Sequence, residues 1–180
     1  MVNQGDDVPL SLLVERGGVF YGLLGASVEA LVTELTGLIP CLDGGDPANK
    51  ALLQAVLERE ALMSTGIGRG VALPHPRNPL IADTEKQLVS IGFPAVPVDW
   101  KALDGKPVHT ALLIVSASAK LHLHTFSKIN FLCQDNDFLS LLRNRAPQDR
   151  IIGAIREAER GWGGMPGIRE GSPVLPIIKT

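Results

Sequence analysis

The sequence predicts a single α/β domain, and three observations carry that expectation. Strand-like and helix-like segments alternate through the middle of the chain. One strand candidate, ending in Ala111-Leu112-Leu113-Ile114-Val115, is apolar without interruption, as suits a strand buried on both faces. The 180 residues are 45% hydrophobic and 20% charged, an ordinary balance for a chain with one core, although aromatics make up only 4%. That core must therefore rest on Leu, Val, Ile and Ala.

Residues 1–9 read as a short polar lead, residues 10–160 as the domain, and residues 161–180 as a tail. In the tail, Gly161, Gly163, Gly164, Pro166, Gly167, Gly171, Pro173 and Pro176 are too dense to sustain regular structure. The first strand candidate is Val19 to Leu24. Ser27 is an N-cap for a helix whose apolar stripe is Leu31, Leu35 and Leu38. Asp46-Pro47 is a second start, a capping carboxylate before proline at the first helical position, with Leu52, Val56, Leu57 and Leu62 following. Ser64 to Arg77 reads as a glycine-punctuated loop, a short apolar strand and an irregular His75 segment. Further strands are expected at Leu88 to Phe93 and Val108 to Val115. Helices are expected over Leu121 to Gln134 and from Pro147 through Ile151, Ile152 and Ile155.

Several function classes fall away. A net charge of −2 supplies no basic face, so no nucleic acid is expected as a partner. Cys41 and Cys133 form no C-x-x-C pair and read as reduced, buried thiols. No apolar run is long enough to span a membrane, and the first residues lack a signal-peptide pattern, so the expectation is a cytoplasmic protein. Gly66, Gly68 and Gly70 fit no nucleotide loop, because neither G-x-G-x-x-G nor a P-loop lysine is present. No cofactor is expected.

Four histidines remain as candidates. His109, near the start of its strand, reads as a partly exposed strand position. His75 lies where a strand ends, between Pro74 and Pro76, which fix φ and remove competing N–H donors. On residue physics alone it is equally a turn histidine held by prolines and a reactive imidazole on a stiff mount. On a helix, His122 shares a stripe with Phe126, Ile129 and Cys133, whereas His124 points away, near Lys128 and Phe131. Side chains two apart on a helix diverge, and no further ligand cluster exists, so no metal is expected. Arg59 falls on the stripe of Leu52, Val56 and Met63. It either pairs with a carboxylate inside the fold or points from the helix end toward an arriving anion, a task its planar fork suits. A nucleophilic imidazole, a second imidazole and a cation together make an inventory for histidine phosphorylation.

The string from Leu57 to His75, Leu-Glu-Arg-Glu-Ala-Leu-Met-Ser-Thr-Gly-Ile-Gly-Arg-Gly-Val-Ala-Leu-Pro-His, resembles the signature of the fructose/mannitol class (type 2) of phosphotransferase-system enzyme IIA domains. Asp99-Trp-Lys-Ala-Leu-Asp-Gly-Lys-Pro-Val and His122-Leu-His-Thr-Phe agree with it, the latter as in the nitrogen-regulatory paralogues. The resemblance spans about residues 8 to 160. It implies an α/β fold with a mixed sheet flanked by helices. It also implies a phosphohistidine at His75, with His122 as the second active-site histidine. Arg59 would bind phosphate, with Thr65 beside the site; Arg69 joins them as a phosphate-binding candidate on its charge alone, since a cation there favours a phosphorylated state.

By that resemblance the donor is phosphorylated HPr or its nitrogen-branch counterpart, and the partner beyond it is a IIB domain or a regulated protein. The chain would act as a phosphotransferase in a regulatory branch, or alternatively as a sugar-uptake enzyme IIA. The absence of a IIB or IIC segment leans toward regulation. Arg69 departs from the acidic residue or asparagine usual there. His75-Pro76-Arg77-Asn78-Pro79 resembles the variant found behind a DNA-binding helix-turn-helix. A fragment of such a fusion and a stand-alone relative both stay open, as do the sugar and the oligomeric state.

Overall fold

The computed structural model describes residues 8–39 and 47–162. The expected Asp46 cap, Cys41, nearly all of the polar lead and the tail from residue 163 lie outside them. The described elements run α1 (Leu10–Gly17), β1 (Val19–Leu23), α2 (Val28–Gly37), α3 (Pro47–Leu62), β2 (Gly66–Gly68) and β3 (Val71–Ala72). After a 3-10 turn at Thr84–Lys86 come β4 (Leu88–Pro94), β5 (Thr110–Val115), α4 (Ala119–Leu132), α5 (Asn136–Arg143) and α6 (Gln148–Trp162). Among the described residues no helix is long and apolar enough to cross a membrane.

The five strands form one mixed sheet in the order β1-β4-β5-β3-β2. β1 runs parallel to β4 and β3 parallel to β5, while β4 and β5 are antiparallel, as are β2 and β3. β5 is central, and all six of its residues are buried, as its apolar run predicts. Alternation divides it between two cores. Leu112 and Ile114 pack with α1, α4, α5 and α6, whereas Ala111, Leu113 and Val115 pack with α2 and α3. The result is three layers, helix on sheet on helix.

Local chemistry explains most boundaries. Ser27 caps α2, its hydroxyl accepting from the Ala30 amide at 3.1 Å. Leu31 and Leu35 are fully buried, but Leu38 is 42% exposed, because the helix ends at Gly37 before that residue can return to the stripe. α4 starts two residues earlier than its apolar stripe suggests, capped by Ser118. The Pro147 carbonyl accepts the first amides of α6, and Ile151, Ile152 and Ile155 bury the expected face. α6 continues through Gly161 to Trp162.

α1 and α5 are not among the helices expected above, although Asp135 caps α5, its carboxylate accepting from the Asp137 and Phe138 amides at 2.7 and 3.4 Å. α1 has no capping side chain of its own; Glu159 of α6 accepts from the Leu10 amide at 2.5 Å and the Ser11 hydroxyl at 2.7 Å instead. Such a cap comes from the far end of the domain, so no local pattern announces it. The stretch expected as a glycine-punctuated loop is a β-hairpin, β2-β3, turning through Arg69 and Gly70 at positive φ.

The boundary of α2 yields a comparison by urea unfolding. Leu35→Ala should cost about 2–5 kcal/mol, the range for a fully buried leucine, whereas Leu38→Ala should cost about 1 kcal/mol or less. Equal losses would mean that the stripe continues past Gly37.

Candidate active site

The site forms where two parallel strands end side by side. β3 delivers the chain to Pro74 and His75, and the Ile114 amide of β5 donates to the Pro74 carbonyl at 3.0 Å, extending the pairing. β5 then turns through Ser118 into α4, whose opening turn carries His122. Carboxyl ends of neighbouring strands are where open α/β sheets leave a crevice.

His75 is held more tightly than an exposed loop residue. Within the segment expected to be irregular, His75 is only 9% exposed. Its Nδ1 lies 2.7 Å from the Leu73 carbonyl oxygen. A carbonyl only accepts, so Nδ1 carries the proton and Nε2 keeps its lone pair. His122 stands alongside, ring centroids 4.7 Å apart at 38°, and Phe126 closes the group at 6.0 Å from each ring. The helical stripe of His122, Phe126, Ile129 and Cys133 therefore faces inward as expected. His124, expected in solvent, is half-buried.

Arg59 sits at the exposed end of its helix, and its hydrogen-bond partner is a backbone carbonyl, not a carboxylate. Leu62 and Met63 are 66% and 69% exposed, so the last turn of α3 runs past the edge of the core. There Arg59 Nη1 donates to the Met63 carbonyl at 2.8 Å, a common cation cap at a helix C-terminus. Its charge reaches both imidazoles. Burial lowers the His75 pKa, the Leu73 bond opposes that shift, and Arg59 adds to it. His122 is pushed down to about 4 by burial first, then by His75 and Arg59. Two rings this close to each other and to a guanidinium are best neutral.

Two expectations change. Arg69 is a correction: its guanidinium donates to the Cys133 and Gln134 carbonyls at 3.1 and 3.4 Å and to Asn136 Oδ1. Those groups lie at the far end of α4 from His122, roughly 16 Å along the helix at 1.5 Å per residue. Arg69 thus fastens the hairpin to α4 instead of facing His75. Thr65 does lie beside the site, but its hydroxyl donates to Glu60 Oε2 at 2.5 Å and accepts from Trp100 Nε1 at 3.3 Å. Glu60 and Trp100 were not singled out from the sequence. One signal was available: an acidic residue in the last turn of a helix opposes the helix dipole and needs a reason.

The remaining candidates have structural settings. His109 sits just before β5, half-buried, with Nδ1 2.8 Å from Thr110 Oγ1. Cys133 is a buried free thiol whose pKa burial raises to about 12. Among the described residues no three His, Cys, Asp or Glu side chains converge as a metal site.

Known proteins share this arrangement of elements. A sequence family described as phosphoenolpyruvate-dependent sugar phosphotransferase system, EIIA 2, matches residues 40–158. A nitrogen regulatory protein of Klebsiella oxytoca is 32% identical over 113 residues, 62% of this chain and 68% of that protein. The fructose-specific EIIABC component of Bacillus subtilis is 28% identical over 127 residues. That match covers 68% of this chain but only 20% of the relative's length. Among solved structures, the nitrogen regulatory protein IIA-Ntr from Neisseria meningitidis superposes with a TM-score of 0.68 at 22% identity. It covers 81% of this chain and 97% of its own. The complex of enzyme IIAMTL and phosphorylated enzyme IIBMTL from Escherichia coli gives 0.60 at 15% identity, covering 78% and 95%. With the matched segment containing Arg59, His75 and His122, the chain belongs to the EIIA type 2 family of the phosphoenolpyruvate-dependent sugar phosphotransferase system.

Proposed function

We propose that this chain is a phosphocarrier that accepts a phosphoryl group on Nε2 of His75. The donor is phosphorylated HPr or its nitrogen-branch counterpart, and the branch is regulatory. The observation that carries the reading is the Nδ1–H bond to the Leu73 carbonyl, which leaves Nε2 as the ring's nucleophilic atom beside His122 and within the field of Arg59. In the transfer, the Nε2 lone pair forms a new P–N bond. The electron pair of the breaking donor P–N bond returns to the donor imidazole, and Nδ1–H stays on Leu73 throughout. The lowered His75 pKa favours this chemistry, since a protonated ring has no lone pair to offer.

Arg59 and His122 supply the charge response. As anionic phosphoryl oxygens arrive, they favour protonation of His122, the reverse of the effect that Arg59 and His75 exert on it before transfer. A ring that begins neutral can thus become a cationic hydrogen-bond donor when the negative charge is present. The regulatory branch is supported by nitrogen regulatory relatives that align over about two-thirds of their own length. A second reading, sugar uptake with delivery to a IIB domain, is favoured by the likeness to the Bacillus subtilis fructose-specific EIIABC component. Passage of the label to an added IIB domain separates the two.

Three outcomes test the proposal. His75→Ala should abolish labelling by phosphorylated HPr, read by intact mass and site mapping; undiminished labelling refutes it. His122→Ala should slow transfer by about 100-fold, the usual cost of removing one donor to a developing anion, with all label still on His75. An NMR titration of the unphosphorylated protein should place His122 near 4, below the ordinary 6.5. Because that pKa is depressed on folding, His122 should lower stability as pH falls from about 6.5 toward 4, and His122→Ala should flatten that part of the curve.

A further inference from the structure

We infer that Glu60 is a positioning residue for His75, acting through Thr65. The inference rests on the proposed chemistry at His75 and concerns how that ring is aimed. Both Glu60 carboxylate oxygens are spent on one residue: Oε1 accepts from the Thr65 amide at 2.8 Å and Oε2 from its hydroxyl at 2.5 Å. The same hydroxyl accepts from Trp100 Nε1 at 3.3 Å. Trp100 is 1% exposed and packed in the core. With its single proton given to Glu60, the Thr65 hydroxyl has none left for a phosphoryl oxygen.

The next links run through backbone. The Thr65 carbonyl accepts from the Leu73 amide at 3.0 Å, and the Leu73 carbonyl accepts from His75 Nδ1 at 2.7 Å. The Leu73 peptide segment is thereby held at its amide by Thr65 and turned at its carbonyl toward the imidazole. Neighbouring contacts brace the same point. Ser64 Oγ donates to the Trp100 carbonyl at 2.6 Å and accepts from the Gly66 amide at 3.1 Å. A Cβ on Gly66 would lie 2.8 Å from that of Ala102, so glycine is needed for the hairpin to sit this close to the segment after Trp100. The sequence Asp99-Trp100-Lys101-Ala102 is therefore the floor on which the His75 mount rests.

This assignment explains an acid in the last turn of α3, where it opposes the helix dipole. Its carboxylate locks Thr65, and Thr65 locks the carbonyl that selects the His75 tautomer and direction. Thr65 then serves as the keystone of the mount and not as a phosphate ligand.

The test uses the full chain and reads two quantities. Ring 15N shifts report the His75 tautomer in the unphosphorylated protein, and labelling by phosphorylated HPr reports the transfer rate. In Glu60→Gln one of the two accepting oxygens becomes an NH2 group that only donates, so the separate acceptors for the Thr65 amide and hydroxyl are lost. The Nδ1–H tautomer should lose population and transfer should slow on the order of 10- to 100-fold, the scale of a misaimed group, with label still on His75. Thr65→Val should behave likewise, while Thr65→Ser, which keeps hydroxyl and amide, should match wild type in both. Wild-type tautomer and rate in Glu60→Gln, or in Thr65→Val should Glu60→Gln fail to fold, overturns the inference. If wild type takes no label at His75, the phosphocarrier reading fails, and the tautomer measurement alone still decides the role of Glu60.

Discussion

The parallel pairing of β3 with β5 is the constraint on which the rest of the site depends. β3 has only two strand residues, Val71 and Ala72, yet it sets where the chain leaves the sheet. The Ile114 amide on the Pro74 carbonyl prolongs the pairing by one more bond. Because β5 turns directly into α4, the same register that places His75 also places His122 across from it. A shift of one residue would turn Val71 and Leu73 out of one core and Ala72 out of the other, at a large cost in buried apolar surface. The two rings are aligned by the hydrophobic core, and only then refined by hydrogen bonds.

Electrostatics completes what packing begins. Two imidazoles and a guanidinium share a small, partly dry volume, so the rings stay neutral until a negative charge enters. In the proposed transfer, the charge of the arriving phosphoryl group is what favours protonation of His122. Glu60 lies near enough to oppose Arg59 at His75, yet its oxygens are occupied by Thr65. One acid thus moderates the local field while serving as a brace.

Much of this was legible in the residues, and the failures follow a pattern. β5 was readable because a strand buried on both faces needs an unbroken apolar run. His122 was readable because its stripe, with Phe126 and Ile129, has helical period. Leu38 was misread because a stripe extrapolates past a helix end that only the Leu38 cap geometry reveals. Arg69 was misread because two of its three partners, the Cys133 and Gln134 carbonyls, are backbone atoms, and backbone acceptors carry no sequence label. The same is true of the Leu73 carbonyl beneath His75, while Glu159 caps α1 from a distance in sequence that no local pattern spans. Side-chain periodicity finds faces; it does not find which peptide group a side chain will reach.

The prolines on either side of His75 have one more consequence. Neither Pro74 nor Pro76 has an amide proton, and the Leu73 amide is already taken by Thr65. Of residues 73–76 that leaves one backbone donor, the His75 amide, in place of the successive amides with which a glycine-rich cradle grips phosphate. In the proposed transfer, most of the grip on the oxygens therefore falls to side chains such as Arg59 and His122, of which His122 titrates. A mount with so few fixed backbone donors suits a group that is handed on rather than stored.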